Sequence, residues 1–200
     1  MARIDTLFPT SLYRAQLGVR RNAELKKVCL AIAGEDQAGQ RWARKHGYRG
    51  YTSYASLNDL PERAPEFAAL KSELDGHVRR FARALDYDLG GRRLALDSLW
   101  INVLESGGAH GGHIHPHSAI SGTYYVATPR GASAIKFEDP RLPLMMAAPA
   151  KKATARAANK TFVSIAPRPG TLLLWESFLR HEVPQNAARG LRISISFNYS

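Results

Sequence analysis

The stretch LRISISFNY, residues 191–199, alternates without a break. Successive side chains of an extended chain point to opposite faces, so Arg192, Ser194, Ser196 and Asn198 share one side and Ile193, Ile195 and Phe197 the other. The apolar side asks for a core. The polar side is more informative, because a row of Arg, Ser, Ser and Asn cannot line a dry interior unless it meets partners. Two arrangements satisfy it. Either the row faces water, or it lines the inside of a barrel in which the guanidinium meets an anion. A planar guanidinium fits a carboxylate through two parallel hydrogen bonds. The second arrangement predicts a polar-lined barrel in which Arg192 and Ser194 hold a carboxylate.

The chain before it speaks the same grammar back to residue 93. RLALDSLWINVL (93–104), SGTYYVAT (121–128), SAIKFED (133–139), TFVSIAP (161–167) and TLLLWES (171–177) are short β-branched or aromatic runs separated by Gly, Pro or polar turns. Six such runs with no helical pattern between them argue for an antiparallel sandwich or barrel. The first ninety-two residues differ. TLFPTSLYRAQL (6–17) reads as a first strand. RNAELKKVCLAIA (21–33) places Leu25, Val28, Cys29 and Ile32 at helical spacing. PEFAALKSELDGHVRRFARALDY (65–87) repeats Phe67, Leu70, Leu74, Val78, Phe81 and Leu85 every three or four residues, with Pro65 suited to a first helical turn. Residues 34–65 read as irregular. The expected fold class is mainly β with flanking helices. No linker divides the chain, so the reading is one domain over 1–200, with a strand and supporting helices in 1–92 and the strand-rich core in 93–200. The basic, Ala-rich segment 141–160 is too long for an ordinary hairpin loop and is expected to be either a flap over the site or a plain surface excursion.

Composition bounds the function loosely. Twenty-eight Lys and Arg against seventeen Asp and Glu leave a net charge of +11. That favours anionic partners, nucleic acid among them, but the arginines are scattered and equally suit a solvated surface. A single cysteine, Cys29, excludes an internal disulfide and sits among apolar neighbours as a packing residue. The N-terminus lacks the apolar core of a signal peptide, and no apolar run approaches the ~20 residues of a membrane span. The expectation is a cytoplasmic protein without a membrane partner.

Four of the seven histidines crowd into HGGHIHPH, residues 110–117. In a strand His113 and His115, two apart, aim at one point; Pro116 would end ladder pairing there. A His-rich surface loop is the plain alternative. His181, directly after the apolar run 171–175, could join them at a barrel mouth, and three imidazoles would make a site for a first-row transition metal. A hydrogen-bonded turn histidine is its alternative.

Taken in order, HIHPHSAISGTYYV, GTLLLWESFLRHEVPQN and RISISFN resemble the double-stranded β-helix core (a jelly-roll, cupin-like barrel) of the 2-oxoglutarate- and iron(II)-dependent oxygenases, in particular a small bacterial subgroup. The resemblance runs from about Ser98 to the C-terminus, and LFPTSLY near the N-terminus also fits. It implies Fe(II) as the metal, 2-oxoglutarate as cosubstrate and hydroxylation of a further substrate whose identity it does not give. His113 and His181 match the superfamily's two iron-binding histidines. The position between, usually Asp or Glu, is held by His115, which departs from the pattern; His117 and Glu138 are the alternative ligands. Arg192, eleven positions after His181, matches the basic residue that holds the far carboxylate of 2-oxoglutarate, with Ser194 beside it. Tyr125, or in another register Tyr124, is implied as a further contact to it, and Asn102 as a pocket residue. Trp100, Trp175 and Met145 are candidates for shaping the pocket. Two other readings stand: a three-histidine metal dioxygenase of cupin type that does not use 2-oxoglutarate, and a non-catalytic barrel binding metal or nucleic acid.

Overall fold

The computed structural model describes residues 1–200. Ten strands and four helices follow in the order β1 (Leu12–Gln16), α1 (Asn22–Glu35), α2 (Gln37–Lys45), β2 (Gly50–Thr52), α3 (Leu60–Arg63), α4 (Pro65–Ala84), β3 (Leu96–Leu104), β4 (His110–His113), β5 (Ile120–Ala127), β6 (Ile135–Glu138), β7 (Phe162–Ile165), β8 (Thr171–Glu176), β9 (His181–Val183) and β10 (Arg192–Tyr199). A six-stranded sheet runs β1-β8-β5-β10-β3-β2 and a four-stranded sheet runs β4-β9-β6-β7. All pairings are antiparallel. The architecture is the double-stranded β-helix with helices against one sheet.

Period-two alternation in the large sheet supplies two cores. From β3, β5, β8 and β10, the residues Leu99, Ile101, Val103, Tyr124, Val126, Leu172, Leu174, Ile193, Ile195 and Phe197 face outward. They pack with Leu25 and Cys29 of α1 and Phe67, Leu70, Leu74, Val78 and Phe81 of α4. Their neighbours in sequence, Leu104, Tyr125, Leu173 and Trp175, face inward and join Ile135, Phe137 and Val183 of the small sheet in a second cluster. That shared cluster is what holds the two sheets face to face. Fully burying one such large apolar side chain is worth about 1.5–3 kcal/mol, so the helix layer carries much of the stabilisation. Gly122 on β5 shows how close the outer packing is, for a Cβ there would run into the Phe197 ring and lie 2.7 Å from Leu174.

Several expectations need correcting. The first strand is only the five residues of β1; residues before Leu12 are not in a strand. Residues 34–65 are not irregular but hold α2, β2 and α3. Helix α2 buries only Gly39 and Ala43, so it has almost no apolar stripe to betray it. It is fixed instead by its cap: Asp36 accepts from the Gly39 N–H at 2.9 Å, and a Cβ at residue 39 would collide with the Asp36 carboxylate. Segment 141–160 carries two short 3-10 turns, Leu142–Leu144 and Ala157–Asn159. Its ends, Arg141 and Ala157, Ala158 and Lys160, line a groove with residues 6–12, and none of its residues lines the cavity between the sheets.

Candidate active site

Polar side chains from the inner face of the large sheet meet β4, the loop that follows it and β9 at a cavity of about 310 Å³. Strand β10 runs antiparallel to both β3 and β5, opposing Ser194 to Asn102 and to Tyr125. The row Arg192, Ser194, Ser196 lines the cavity while Ile193 and Ile195 lie in the helix-side core. The inward arrangement is therefore the one this strand adopts.

His113 ends β4 and stands opposite His181 at the start of β9. His115 lies beyond the strand, so simple alternation is not what aims it. The chain leaves the ladder at Ile114, and the His115 N–H donates to Ser177 O at 3.0 Å. The imidazoles converge nonetheless. One ring nitrogen from each of His113, His115 and His181 lies within 4.8 Å of the others, and the Nε2 atoms of His115 and His181 are 3.3 Å apart. His113 Nδ1–H donates to Gly111 O at 2.7 Å and His181 Nδ1–H to Leu179 O at 2.9 Å. Each bond fixes the tautomer that leaves Nε2 with a free lone pair. Burial, with the neighbouring histidines, pushes His115 down to about 4 and His181 to about 3. Both rings are neutral near pH 7, the state in which imidazole binds a metal.

The alternative ligands are elsewhere. His117 follows Pro116 with a positive φ of 75° and is not in the cluster. Glu138 sits 3.6 Å from Arg180 in an ion pair.

At the other end of the cavity Arg192 is 2% exposed. Its Nε–H donates to Ser133 O and its Nη1–H to Ser194 Oγ, both at 3.3 Å. No carboxylate lies within ion-pair distance of it. Burial lowers its pKa from the ordinary arginine value, but a guanidinium stays charged in a protein. Beside it the Tyr125 hydroxyl is buried with no hydrogen-bond partner, as is Trp175 Nε1 next to the His181 ring. A buried charge with no acidic partner, beside a buried hydroxyl that makes no hydrogen bond, is costly, and such surroundings suit an anion. Asn102 lines the cavity wall with its amide held by Thr52 and Ser196.

Tyr124 is not brought to this site. Its hydroxyl donates to Asn22 Oδ1 and Gly18 O on the helix side of the sheet. Trp100 and Trp175 line the cavity; Met145 does not. Two residues that sequence reasoning passes over do belong to it, Tyr48 and His110, whose Oη and Nε2 are hydrogen-bonded at 3.1 Å. Burial, with the nearby Arg192 charge, pushes His110 down to about 3. Its place in the histidine run is a signal; Tyr48 gives none. Trp42, Tyr54 and Ile114 line the cavity as well, Tyr54 and Ile114 exposed.

The donor set fits the groups its fold implies: neutral imidazoles suit a divalent first-row ion, and an unpaired buried guanidinium beside a free hydroxyl suits a carboxylate. The double-stranded β-helix is shared with a prolyl-4-hydroxylase from Pseudomonas putida (14% identity, TM-score 0.65, covering 95% of this chain and 92% of that one). It is shared with a Trichoplax adhaerens prolyl hydroxylase solved with a hypoxia inducible factor peptide fragment (15%, 0.63, 94% and 82%). HygX from Streptomyces hygroscopicus, solved with nickel and 2-oxoglutarate, has it too (16%, 0.60, 96% and 83%). A search of curated proteins finds no match. The sequence model of the family described as "Putative 2OG-Fe(II) oxygenase" matches residues 98–198, and the chain belongs to that family. It is an oxygenase that depends on Fe(II) and 2-oxoglutarate.

Proposed function

We propose that His113, His115 and His181 hold Fe(II), and that Arg192, Ser194 and Tyr125 seat the far carboxylate of 2-oxoglutarate. The observation that carries this assignment is the buried Arg192 with no acidic partner, in the same small cavity as three converging imidazoles. Fe(II) at that place supplies activation of dioxygen, with the keto acid as reductant, for hydroxylation of a substrate C–H bond. The protein's part is orientation and exclusion of water. Arg192 offers a fork to the carboxylate. Ser194 Oγ already accepts from Arg192, which leaves its own O–H to donate to the anion. Tyr125 offers a second O–H from the opposite strand. Asn102, clamped by Thr52 and Ser196, holds the wall between the two ends. Ile135, Trp175 and Val183 keep the cavity apolar elsewhere.

The substrate enters past Trp42, Tyr54, Trp100 and Ile114. About 310 Å³ is at the small end for a ligand pocket, and 2-oxoglutarate takes part of it. Only the reacting group of the substrate fits inside, and the rest stays at the aromatic mouth. Beyond metal ions and 2-oxoglutarate, the molecules named with three of the structural neighbours are a peptide fragment, nogalamycin RO and hygromycin B, none of them nucleic acid. We place the enzyme in the cytoplasm, in keeping with its single, buried, unpaired cysteine. No helix is long and apolar enough to cross a membrane. The three-histidine set also suits a dioxygenase that does without 2-oxoglutarate, but that reading leaves Arg192 and Tyr125 unexplained.

The test is anaerobic addition of Fe(II) and then 2-oxoglutarate to the purified protein. A visible charge-transfer absorption that needs both is expected. Its absence with both present overturns the assignment.

A further inference from the structure

Behind His115 lies a buried polar chain that no step above uses. Asn198, the last inward residue of β10, places its Nδ2 3.4 Å from His115 Nδ1 and donates from the same nitrogen to Ser98 Oγ at 3.1 Å. Its Oδ1 accepts from Ser121 Oγ at 2.8 Å, and Ser121 Oγ is 2.8 Å from Ser177 Oγ. Asn198, Ser121 and Ser177 are all buried. Four uncharged polar side chains on β3, β5, β10 and the β8–β9 turn therefore converge behind one imidazole. This is also the imidazole that stands where the wider superfamily usually has a carboxylate.

The tautomers make the arrangement informative. A neutral imidazole donates from one nitrogen and accepts at the other. His113 and His181 donate Nδ1–H to backbone carbonyls, which are fixed acceptors. His115 has no carbonyl behind it; it faces an amide nitrogen, which only donates. With Nδ1 accepting from Asn198, the ring proton sits on Nε2, where it donates to His181 Nε2 at 3.3 Å. That chain of bonds satisfies the metal-free protein, but it blocks the lone pair that His115 needs as a ligand. Turning the Asn198 amide over would present Oδ1 to His115 Nδ1–H. The neighbouring partners Ser98 and Ser121 are hydroxyls, each able to donate or accept, so both amide orientations can be satisfied. A carbonyl could not adapt in this way.

We propose that Asn198 is a positioning residue that sets the His115 tautomer, donating to the ring in the metal-free protein and accepting from it when the metal is bound. The inference rests on the ligand assignment above and is tested separately from it. Co(II) titration followed by its visible spectrum reads metal binding without turnover. The wild-type protein should bind one Co(II). Asn198→Leu, close in volume but unable to accept, should weaken Co(II) about 10–100-fold, the usual effect of losing a ligand's outer partner. Asn198→Asp, whose carboxylate accepts from Nδ1–H, should bind Co(II) as tightly as wild type or more so. Equal affinity in Asn198→Leu overturns the proposal, as does an Asn198→Asp variant as weak as Asn198→Leu. A wild-type protein that binds no Co(II) overturns the ligand assignment itself. Ring-nitrogen NMR on the wild-type protein needs no variant. His115 should carry its proton on Nε2 without metal and on Nδ1 with Zn(II); the same tautomer in both states overturns the proposal.

Discussion

The Arg192 guanidinium carbon lies 5.1 Å from the centre of the Tyr125 ring, and the phenol hydroxyl is sealed from water without a hydrogen-bond partner. A buried hydroxyl left unpaired costs about 1–3 kcal/mol, so the folded protein gains nothing from it. Tyr125→Phe should leave thermal stability unchanged or raise it slightly. The same change should weaken 2-oxoglutarate about tenfold or more, because a hydrogen bond to a charged group is worth about 1.5–3 kcal/mol. Thermal denaturation of the ligand-free protein and calorimetric titration with 2-oxoglutarate check the two halves. A loss of stability with unchanged affinity would make the hydroxyl structural.

Tyr124 is its counterpart on the other side of β5. Its hydroxyl donates to Asn22 Oδ1 and Gly18 O, tying α1 and the turn before it to the sheet. Tyr124→Phe should destabilise the fold by about 1 kcal/mol and leave Asn22 short of a donor. Affinity for 2-oxoglutarate should not change. Chemical denaturation gives the first number; if the second moves with it, the two faces of β5 are not independent.

Removing the guanidinium separates the two dioxygenase readings. Arg192→Met keeps most of the volume and loses the charge. Truncating one partner of a buried, hydrogen-bonded charge pair costs about 2–5 kcal/mol, so affinity for 2-oxoglutarate should fall by about 30-fold or more. Oxygen uptake is to be measured with and without 2-oxoglutarate. Activity that survives in its absence would favour the three-histidine dioxygenase.

Long, one-sided elements are legible in the sequence. The helical repeat of α4 and the alternation of β10 both reflect burial along one face of an unbroken element. Strands β2, β4 and β9 are different, for they have three or four residues each, too few for alternation to register. They exist because partners distant in sequence pair with them. The choice between Tyr124 and Tyr125 depends on the register of β5 against β10, which one chain read alone does not contain. Alternation is not what brings His115 near His113 and His181, since that residue sits past the end of β4. Tyr48 enters the site from a segment whose local pattern says nothing about it, and the β10 alternation that turns Asn198 inward does not say that it meets His115.

The histidine run can be dissected by substitution. His115→Ala should weaken Co(II) at least tenfold, because a ligand is lost and two remain. His117→Ala should leave the affinity within about twofold of wild type, as that ring is outside the cluster. Competition titration against a chromophoric chelator compares them directly. Equal losses in both variants would mean that residues 114–117 move on metal binding and that His117 reaches the ion.

Helix α2 carries Trp42 to the cavity, and its N-terminus hangs on Asp36. That carboxylate accepts from Gly39 N, Ser56 Oγ and Tyr51 Oη, joining the helix start to β2 and the loop after it. Burial by itself would raise its pKa; the hydrogen bonds from Gly39, Ser56, Tyr51 and Ala38 together outweigh it and hold the group below the ordinary carboxylate value. The folded protein thus binds this proton less readily than the unfolded chain, whose Asp titrates near about 3.9. The stabilisation is fully present above that pH and is lost as pH falls through the depressed folded value. Asp36→Ala should cost about 1–2 kcal/mol at pH 7, as loss of a helix cap does. The gap between wild type and variant should narrow steadily below about pH 4, which urea denaturation across a pH series would record. A gap of constant size from pH 7 to pH 2 would mean that the charge of Asp36 is not what anchors α2, and that its hydrogen bonds serve equally well with the carboxyl protonated.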